Sequence, residues 1–534
     1  MLGVESIPDG LAAGVLAGVN PLLGLNAYIV GTLAGALTTG SVLMTVQATG
    51  AMAVIIADVP QVHGDGSAAA IATLTVMAGI VMLVLGLVGA GSLVRFIPSA
   101  VLIGFVNAVA VNIVLSQLEN LSGYHSNAGS RIGRAGDTVL HLPQVSWWSL
   151  IIGLVTVALV LLLERTRLGA LSMVVAIVLG SVVALLLPAG AVATIGEIAS
   201  IERQLPTVTW PSLVMAFELV VPALSLALVG LVQGAAISGA VPNPDGKYPS
   251  ASADFRGQGI ANIASGVLQG IPVGGSMSAT ALVRAAGARS ATANLVAGVV
   301  MITTVLIFAP LIGFIAMPAL AGLLMLVGVR TFKVPQVAMV FRTGSVQAAV
   351  FLVTFVLTLF IPLQYAVLAG VGLAVVLHIA RQSNRVRVTM WVFDQGETRP
   401  REVPAPRFVR PGEILVLNPY GALFFASVES FRAQLPDPGD DAQESYVILR
   451  LRGTDELGVT FLTMLRKYSA DLARAGATLM VAGVGERVVT QLRTTRIHDE
   501  IGRDNIFPAA ERIGDAVVTA RTEAIRRQTE AQGT

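Results

Sequence analysis

The chain has 534 residues, of which 54% are hydrophobic and only 12% are charged, and its formal net charge is +2 at pH 7. The mean hydropathy of +0.77 is that of a membrane protein rather than an average soluble domain. Cysteine is absent and the five histidines are scattered, so we expect no disulfide, no thiolate catalysis and no metal site. So small a net charge gives no reason to expect a nucleic-acid partner.

Long apolar runs occupy the chain up to about residue 380. A helix needs roughly 20 apolar residues to cross the hydrocarbon core of a bilayer. Nine runs approach or reach that length: 68–90, 97–118, 147–163, 168–187, 219–240, 291–308, 312–329, 348–363 and 365–379. Five more are shorter and are interrupted by glycine, proline or polar residues: 4–19, 22–37, 42–57, 260–271 and 276–288. The pattern predicts an α-helical membrane protein with about 14 transmembrane segments, some of them half-helices.

The charges of the loops favour an even number of spans. Cytoplasmic loops carry most of the Lys and Arg residues of a membrane protein. With both termini inside, the basic residues on the cytoplasmic side are Arg95, Arg165, Arg167, Lys247, Arg256, Arg284, Arg289, Arg330, Lys333 and Arg342. Those outside are Arg131, Arg134 and Arg203. We therefore expect a multi-pass protein of the cell membrane with both termini in the cytoplasm, and the preference for arginine over lysine suggests a bacterial source.

The third and tenth segments resemble each other. Each places glycine and small residues around a methionine near the start of a short helix, as TGAMA at 49–53 and as GSMSA at 275–279. Their positions match a seven-plus-seven inverted repeat. Paired, interrupted segments in the two halves of a transporter indicate its central binding site.

The tenth segment lies within GIPVGGSMSATALV, residues 270–283, where Pro272 and two glycines break the chain before two serines. A half-helix that starts inside the membrane exposes unpaired N–H groups and the positive end of its dipole, equivalent to roughly half a charge. Two such starts facing each other form an anion site without a cationic side chain. Alternatively, the small residues only allow helices to pack closely. We expect Asn107, Asn112 and Asn262 to bond neighbouring helices rather than ligand.

The remainder of the chain has a different composition. Residues 382–410 are rich in proline and charge and are predicted to be a linker after a membrane domain of residues 1–381. From 411 to 534, β-branched runs alternate with helical periods, beginning with two strands and a helix over 412–435. This order predicts a small α/β domain.

In GIPVGGSMSATALVRAAGARS, proline, valine and small polar residues precede a loop with an arginine, which resembles the pattern of the sulfate permease (SulP) family of anion transporters. VLIGFVNAVAVNIVLSQLENLSG at 101–123, GQGIANIASGVLQG at 257–270 and SIPDGLAAGVLAGVNPLLGL at 6–25 are similar to its fifth, ninth and first helices. YGALFFASVESF in the tail resembles the entry to a STAS domain.

This resemblance implies a core and a gate domain built from the inverted repeat, a homodimer, alternating access and a cytoplasmic STAS domain. It also implies that the third and tenth half-helices point their N-termini at the anion. At the matching positions, the substrate-binding residues are Gln47, Thr49, Gly50, Ala51, Gly275, Ser276, Met277 and Ser278.

The chain departs from the family pattern at several positions. Many members have a glutamine after the Ile-Pro of the first helix and an acid in the eighth, where this chain has Asp9 and Gln233. Glu5 lies one helical turn before Asp9. Because an ionisable group inside a membrane is costly and usually functional, we expect these three residues to couple transport to H+ or Na+. The alternative is that Asp9 only faces water near the chain end.

A further departure concerns the charge of the anion. Many members carry an arginine where this chain has Ala279. Without that fixed positive charge the attraction for a divalent anion is weaker. A monovalent anion such as bicarbonate is therefore favoured over sulfate.

The sequence thus predicts secondary active transport of a small inorganic anion such as bicarbonate or sulfate. It predicts no enzymatic activity, because no Ser-His-Asp set, phosphate-binding loop or zinc-ligand spacing occurs. One alternative is a nucleobase or organic-anion carrier of the same architecture, although Gln233 stands where such a carrier would need an acid. The other alternative is a membrane anion sensor that signals through its STAS domain without transport.

Overall fold

The computed structural model describes residues 2–64, 66–91, 98–128, 130–166, 169–188, 190–198, 206–361, 363–383, 385–394 and 400–532. Of the basic loop residues named above, Arg95, Arg167 and Arg203 lie outside these ranges. The chain divides into two compact units, Met1–Ala374 and Val375–Thr534.

Helices make up most of the membrane unit. In chain order, those of the described residues begin with α1 (Leu2–Leu16), α2 (Pro21–Thr38), α3 (Gly50–Ala57), α4 (Ser67–Leu87), α5 (Ser99–Ser122), α6 (Arg131–Leu140), α7 (Trp147–Leu163), α8 (Ser172–Leu185), α9 (Ile195–Ile198) and α10 (Leu213–Ala216). They continue as α11 (Val220–Ala240), α12 (Ala251–Val267), α13 (Met277–Ala285), α14 (Thr292–Ile312), α15 (Met317–Thr331), α16 (Val334–Thr343), α17 (Ser345–Phe360) and α18 (Leu363–Ser383). In a bilayer an apolar run favours a helix, because every backbone group then bonds within its own segment.

Several helices are apolar enough to cross a membrane. By length and composition, five segments of the described chain qualify: Pro21–Thr38, Ser67–Leu87, Ser99–Ser122, Val220–Ala240 and Met317–Thr343. Shorter apolar helices are Trp147–Leu163, Ser172–Leu185, Thr292–Phe308 and Ser345–Phe360. The predicted helical, multi-pass membrane unit is confirmed, whereas the number of about 14 segments stays a prediction.

The helices of the membrane unit form two packed groups. The core group contains α1, α2, α4, α11, α12 and α14, which pack against one another. In the gate group, α5 packs against α15 and α17, and α7 packs against α8 and α15. Each group takes helices from both halves of the chain, as an inverted repeat requires. The two groups therefore correspond to the predicted core and gate domains.

Two short strands interrupt the helical pattern. β1 (Thr45–Gln47) precedes α3, and β2 (Gly274–Ser276) precedes α13. Before β2, Pro272 has no N–H to donate, and the two glycines that follow it also disfavour a continuous helix. With eight and nine residues, α3 and α13 are too short to span a bilayer. The predicted half-helices are therefore present.

The second unit is an α/β domain around a six-stranded sheet, in the order β4-β3-β5-β6-β7-β8. The strands are β3 (Arg387–Val392), β4 (Arg401–Pro404), β5 (Ile414–Tyr420), β6 (Tyr446–Arg450), β7 (Thr478–Val484) and β8 (Ile506–Pro508). The helices of its described part, after the end of α18, are α19 (Val428–Arg432), α20 (Val459–Arg474), α21 (Glu486–Thr494), α22 (Ile497–Ile501) and α23 (Asp515–Gln532). Strands β5 to β8 run parallel, whereas β3 is antiparallel to both β4 and β5.

The start of this domain differs from the sequence prediction. The predicted linker, 382–410, contributes β3 and β4 to the sheet. Val388 is buried in the core on one face, and Trp391 packs on the other face. Proline and charged residues dominate this stretch and obscure its alternation, although charges suit an edge strand such as β4. The second strand predicted within 412–435 is replaced by the short turn Phe425–Ser427, which leads into α19.

Candidate functional site

The two half-helices begin at one shared ribbon of two strands. β1 and β2 pair antiparallel, with Thr45 opposite Ser276 and Gln47 opposite Gly274. Because α3 follows β1 and α13 follows β2, the helices leave the ribbon in opposite directions and both N-termini lie beside it. A helix start presents N–H groups that have no acceptor within the helix, together with a positive partial charge.

The start of α3 is built around Thr49. Its hydroxyl accepts a hydrogen bond from the N–H of Met52 at 3.4 Å and donates one to Oε1 of Gln233 at 3.1 Å. Gly50 and Ala51 are the first residues of the helix, so their N–H groups have no acceptor within it. The predicted residues Thr49, Gly50, Ala51 and Gln233 thus lie together at this helix start.

The start of α13 is more accessible. The hydroxyl of Ser276 accepts the N–H of Ala279 at 3.3 Å and lies 3.3 Å from the hydroxyl of Ser278. Ser276 is half-buried, Ser278 is exposed, and Met277 is 47% exposed. The hydroxyl of Ser276 and the exposed residue Ser278 therefore lie at the start of α13 beside its first N–H groups, and hydroxyl and N–H groups are the donors that an oxyanion requires.

Gly274 allows β2 to approach both α3 and α11. A Cβ atom at this position would lie 3.1 Å from Sδ of Met52, 3.2 Å from Cα of Gly230 and 3.3 Å from Oε1 of Gln233. A larger residue would force these groups apart. The close approach brings the side chain of Gln233 to the ribbon as well as to Thr49.

Two predicted binding residues are occupied by other contacts. Gln47 is 2% exposed, and its amide nitrogen donates to the hydroxyls of Ser6 at 2.9 Å and Thr32 at 3.3 Å. The N–H of Gly275 donates to Oε1 of Gln258 at 3.0 Å. In this arrangement Gln47 and Gly275 support the ribbon, and the groups that face accessible space are those of Ser276, Met277 and Ser278.

The two acidic residues of α1 lie on a helix that packs against both α3 and α13. Oε2 of Glu5 is buried and has no hydrogen-bond partner among the described residues. Asp9 follows one turn later, and in the described chain no hydrogen bond joins either acid to α3 or α13. Ser6, which follows Glu5 on this helix, accepts a hydrogen bond from Gln47 of the ribbon.

Two polar residues that the sequence analysis did not identify hold β1 in place. The N–H of Thr45 donates to Oγ1 of Thr280 at 3.1 Å, and its hydroxyl donates to Oδ1 of Asn294 at 2.9 Å. The amide nitrogen of Asn294 also donates to the C=O of Met44 at 3.0 Å. The available signal was an amide side chain inside a long apolar run. By that signal Asn107, Asn112 and Asn262 were predicted to bond neighbouring helices. Asn112 donates to the C=O of Thr358 on α17, whereas Asn107 accepts the N–H of Lys333 just before α16 and Asn262 accepts the N–H of Val273 in an extended segment.

Two family models match the chain. The model of the sulfate permease family matches residues 1–354. The model of the STAS domain matches residues 405–513. One match lies within each of the two units.

Individual proteins resemble nearly the whole chain. The putative sulfate transporter YvdB of Bacillus subtilis is 26% identical over 522 residues, which cover 95% of this chain and 94% of that protein. The bicarbonate transporter BicA of Picosynechococcus is 29% identical over 523 residues, which cover 95% and 91%. The structure of the murine solute carrier 26 family member A9 anion transporter, in an inward-facing state, matches with a TM-score of 0.82 and 18% identity, covering 98% of this chain and 90% of that one. This last likeness shows a shared fold.

Proposed function

The chain belongs to the sulfate permease family, and from that membership we propose that it is a secondary active transporter of a small inorganic anion. The anion is held between the starts of α3 and α13. The observation that carries this proposal is the shared ribbon, at which two half-helices begin with side-chain caps. The names of the relatives support the substrate class, since they include sulfate and bicarbonate transporters.

The charges at the site favour a monovalent anion. The side chains around the two helix starts, those of Thr49, Ser276 and Ser278, are uncharged. Two helix dipoles, each equivalent to roughly half a charge, together balance about one negative charge. Ala279 is only 8% exposed and offers no cation to balance a second one. We therefore propose that bicarbonate is preferred to sulfate as the substrate.

The proposed mechanism is alternating access, in which the core group moves against the gate group. The ribbon is bonded to the core helices, through Asn294 on α14 and, beyond β1, through Gln233 on α11. The anion site would therefore move with the core as one body. A homodimer, with both termini and the STAS domain in the cytoplasm, completes the proposal; the basic loop residues support that orientation.

The acids of α1 are proposed to couple transport to a cation. Glu5 and Asp9 lie one turn apart on a helix that contacts both half-helices. Binding of H+ or Na+ at these acids would cancel negative charge near the site and so favour binding of the anion. The link from Gln47 to Ser6 joins this part of α1 to the ribbon.

The proposal is tested by uptake into proteoliposomes that contain the full chain. Labelled bicarbonate, sulfate and chloride are supplied with and without Na+ and proton gradients. We expect saturable uptake of bicarbonate that exceeds uptake of sulfate and that increases with one of the gradients. Binding without saturable uptake would support the sensor, and uptake of a labelled nucleobase would support the nucleobase carrier. If no anion moves in any gradient, the chain is not an anion transporter.

A further inference from the structure

One face of α12 carries three polar side chains that bond the chain next to it. Gln258, Asn262 and Ser265 are all 0% exposed, and their spacing of four and three residues places them on one side of the helix. Their partners lie in the extended segment 271–275, which leads into α13. A polar stripe of this kind inside a membrane unit is costly unless each group is bonded.

The contacts form a ladder with three rungs. Oε1 of Gln258 accepts the N–H of Gly275 at 3.0 Å. Asn262 accepts the N–H of Val273 at 2.9 Å and donates to the C=O of the same residue at 2.6 Å. The hydroxyl of Ser265 donates to the C=O of Ile271 at 3.0 Å.

The ladder replaces a neighbouring strand. Its backbone partners are alternate residues, 271, 273 and 275, which point to one side of an extended chain. The four residue-to-residue steps from 271 to 275 span about 13 Å in an extended chain, and the seven steps from Gln258 to Ser265 span about 10 Å in a helix, so the two segments can run side by side. On the other edge, Gly274 and Ser276 lie opposite residues of β1. Strand β2 is therefore bonded along both edges.

Gly234 on α11 leaves the space that the first rung needs. A Cβ atom at this position would lie 2.0 Å from Nε2 of Gln258. That nitrogen is buried and has no hydrogen-bond partner among the described residues. The amide of Gln258 is therefore held by packing against Gly234 and by its single bond to Gly275.

We propose that Gln258 and Asn262 are positioning residues of the anion site. They fix the backbone of β2, and so they fix where Ser276 and the first N–H groups of α13 stand relative to the start of α3. This inference rests on the proposed anion transport. It adds that affinity depends on a helix that does not itself touch the anion.

The first test removes the hydrogen bond between Gln258 and Gly275. Gln258→Met keeps the length of the side chain and loses the acceptor, so we expect a KM for the transported anion about tenfold higher, with a maximum rate within twofold of wild type. Gln258→Glu keeps an acceptor oxygen at the same place, so we expect a KM within twofold of wild type. A wild-type KM for Gln258→Met, or an equal loss in both variants, would overturn the proposal.

The second test disturbs the same hydrogen bond by a substitution on α11. Gly234→Ala displaces Gln258 and should raise KM as Gln258→Met does. The matched control is Gly239→Ala, on the same helix, where an added Cβ would meet nothing within 4 Å. An unchanged KM in Gly234→Ala contradicts the proposal, as does an equal rise in both glycine variants.

A third measurement needs no variant and no transport. In the wild-type chain, the ladder predicts that the amides of Val273 and Gly275 exchange hydrogen at least 100-fold more slowly than unprotected amides. Fast exchange at these two amides would refute the ladder, even if the variants fail to fold. If the amides are protected but the wild-type protein moves no anion, the proposed function fails and the positioning role fails with it, while the ladder stands as structure.

Discussion

The starts of α3 and α13 have similar backbones, but different residues hold them in place. β1 is fixed by Thr280 and Asn294, which come from the other half of the chain. β2 is fixed by Gln258 and Asn262 of α12, which belong to its own half. The inverted repeat therefore duplicates the course of the backbone without duplicating the polar contacts that support it.

The two starts also differ in accessibility. Thr49 uses its hydroxyl both to cap α3 and to bond Gln233. Ser276 caps α13, and the neighbouring Ser278 is exposed. From this difference we infer that α13 provides most of the direct contacts to the anion, while α3 contributes mainly its dipole.

The largest expected effect comes from placing a negative charge at the start of α13. Ser278→Glu should lower anion uptake about 100-fold or more, since two like charges 4 Å apart repel by about 4 kcal/mol at an effective dielectric constant near 20. The control is Ser290→Glu, which places the same charge at an exposed position beyond the end of α13. Comparable uptake by the two variants would show that the anion does not bind at the start of α13.

The next largest effect is a loss of gradient-driven accumulation, and it concerns α1, which packs against both α3 and α13. If transport is coupled one-to-one to protons, a gradient of one pH unit drives about tenfold accumulation, because one pH unit corresponds to about 1.4 kcal/mol. Asp9→Asn should abolish this accumulation, or the corresponding effect of a Na+ gradient, while downhill exchange of labelled anion continues. Gradient-driven accumulation that survives in the variant would exclude Asp9 as the coupling residue.

Removing the side-chain caps of α3 and α13 in turn compares how much each helix start contributes to anion binding. Loss of a cap costs about 1 kcal/mol, which corresponds to roughly fivefold in an equilibrium constant. Ser276→Ala should therefore raise KM about fivefold with a small loss of thermal stability. Thr49→Val also loses the bond to Gln233, so it should lower thermal stability more and KM should change less. The opposite order would mean that α3, and not α13, makes the direct contacts.

The smallest effect lies outside the membrane unit and involves no anion site. Hydrogen bonds from Arg526 and Arg527 lower the pKa of Glu523 in α23 from 4.5 to about 2. A carboxylate with a lowered pKa stabilises the fold fully above its unfolded pKa and loses that contribution as the pH falls through its folded pKa.

Glu523→Gln should thus modestly increase hydrogen exchange in 515–532 at pH 7. After correction for intrinsic rates, the difference from wild type should shrink below pH 4.5 and vanish near the folded pKa. Anion uptake should not change. A difference that is the same at pH 7 and pH 3 would show that the ion pairs do not act through the charge of Glu523.

Apolar length and interrupted segments were enough to predict the helical membrane unit and both half-helices. Pro272 and the two glycines after it correctly marked the break before α13, because these residues disfavour a continuous helix in any tertiary context. The family resemblance then identified residues at both helix starts, of which Thr49 caps α3, Ser276 caps α13, and Ser278 lies 3.3 Å from the hydroxyl of Ser276.

The remaining features depend on contacts between segments far apart in the chain. Gln47 has the residue type of a ligand, yet its amide bonds Ser6 and Thr32 on two other helices. Gln258 has no local feature that separates it from a surface glutamine, since its role depends on lying beside Gly275. Likewise β3 and β4 were read as a linker, because sheet pairing rather than composition determines an edge strand.

The binding of the anion at the start of α13 can be measured on a single thiol, because the chain has no cysteine of its own. Ser278→Cys creates that thiol at the accessible helix start, and Ser290→Cys provides the control beyond the helix. The rate of alkylation by a small charged reagent is measured at increasing concentrations of the transported anion. We predict that the anion slows modification at position 278 with a half-maximal concentration near the KM of the same variant, and leaves position 290 unaffected. Modification at position 278 that proceeds at the same rate with and without saturating anion would contradict a site between the two half-helices.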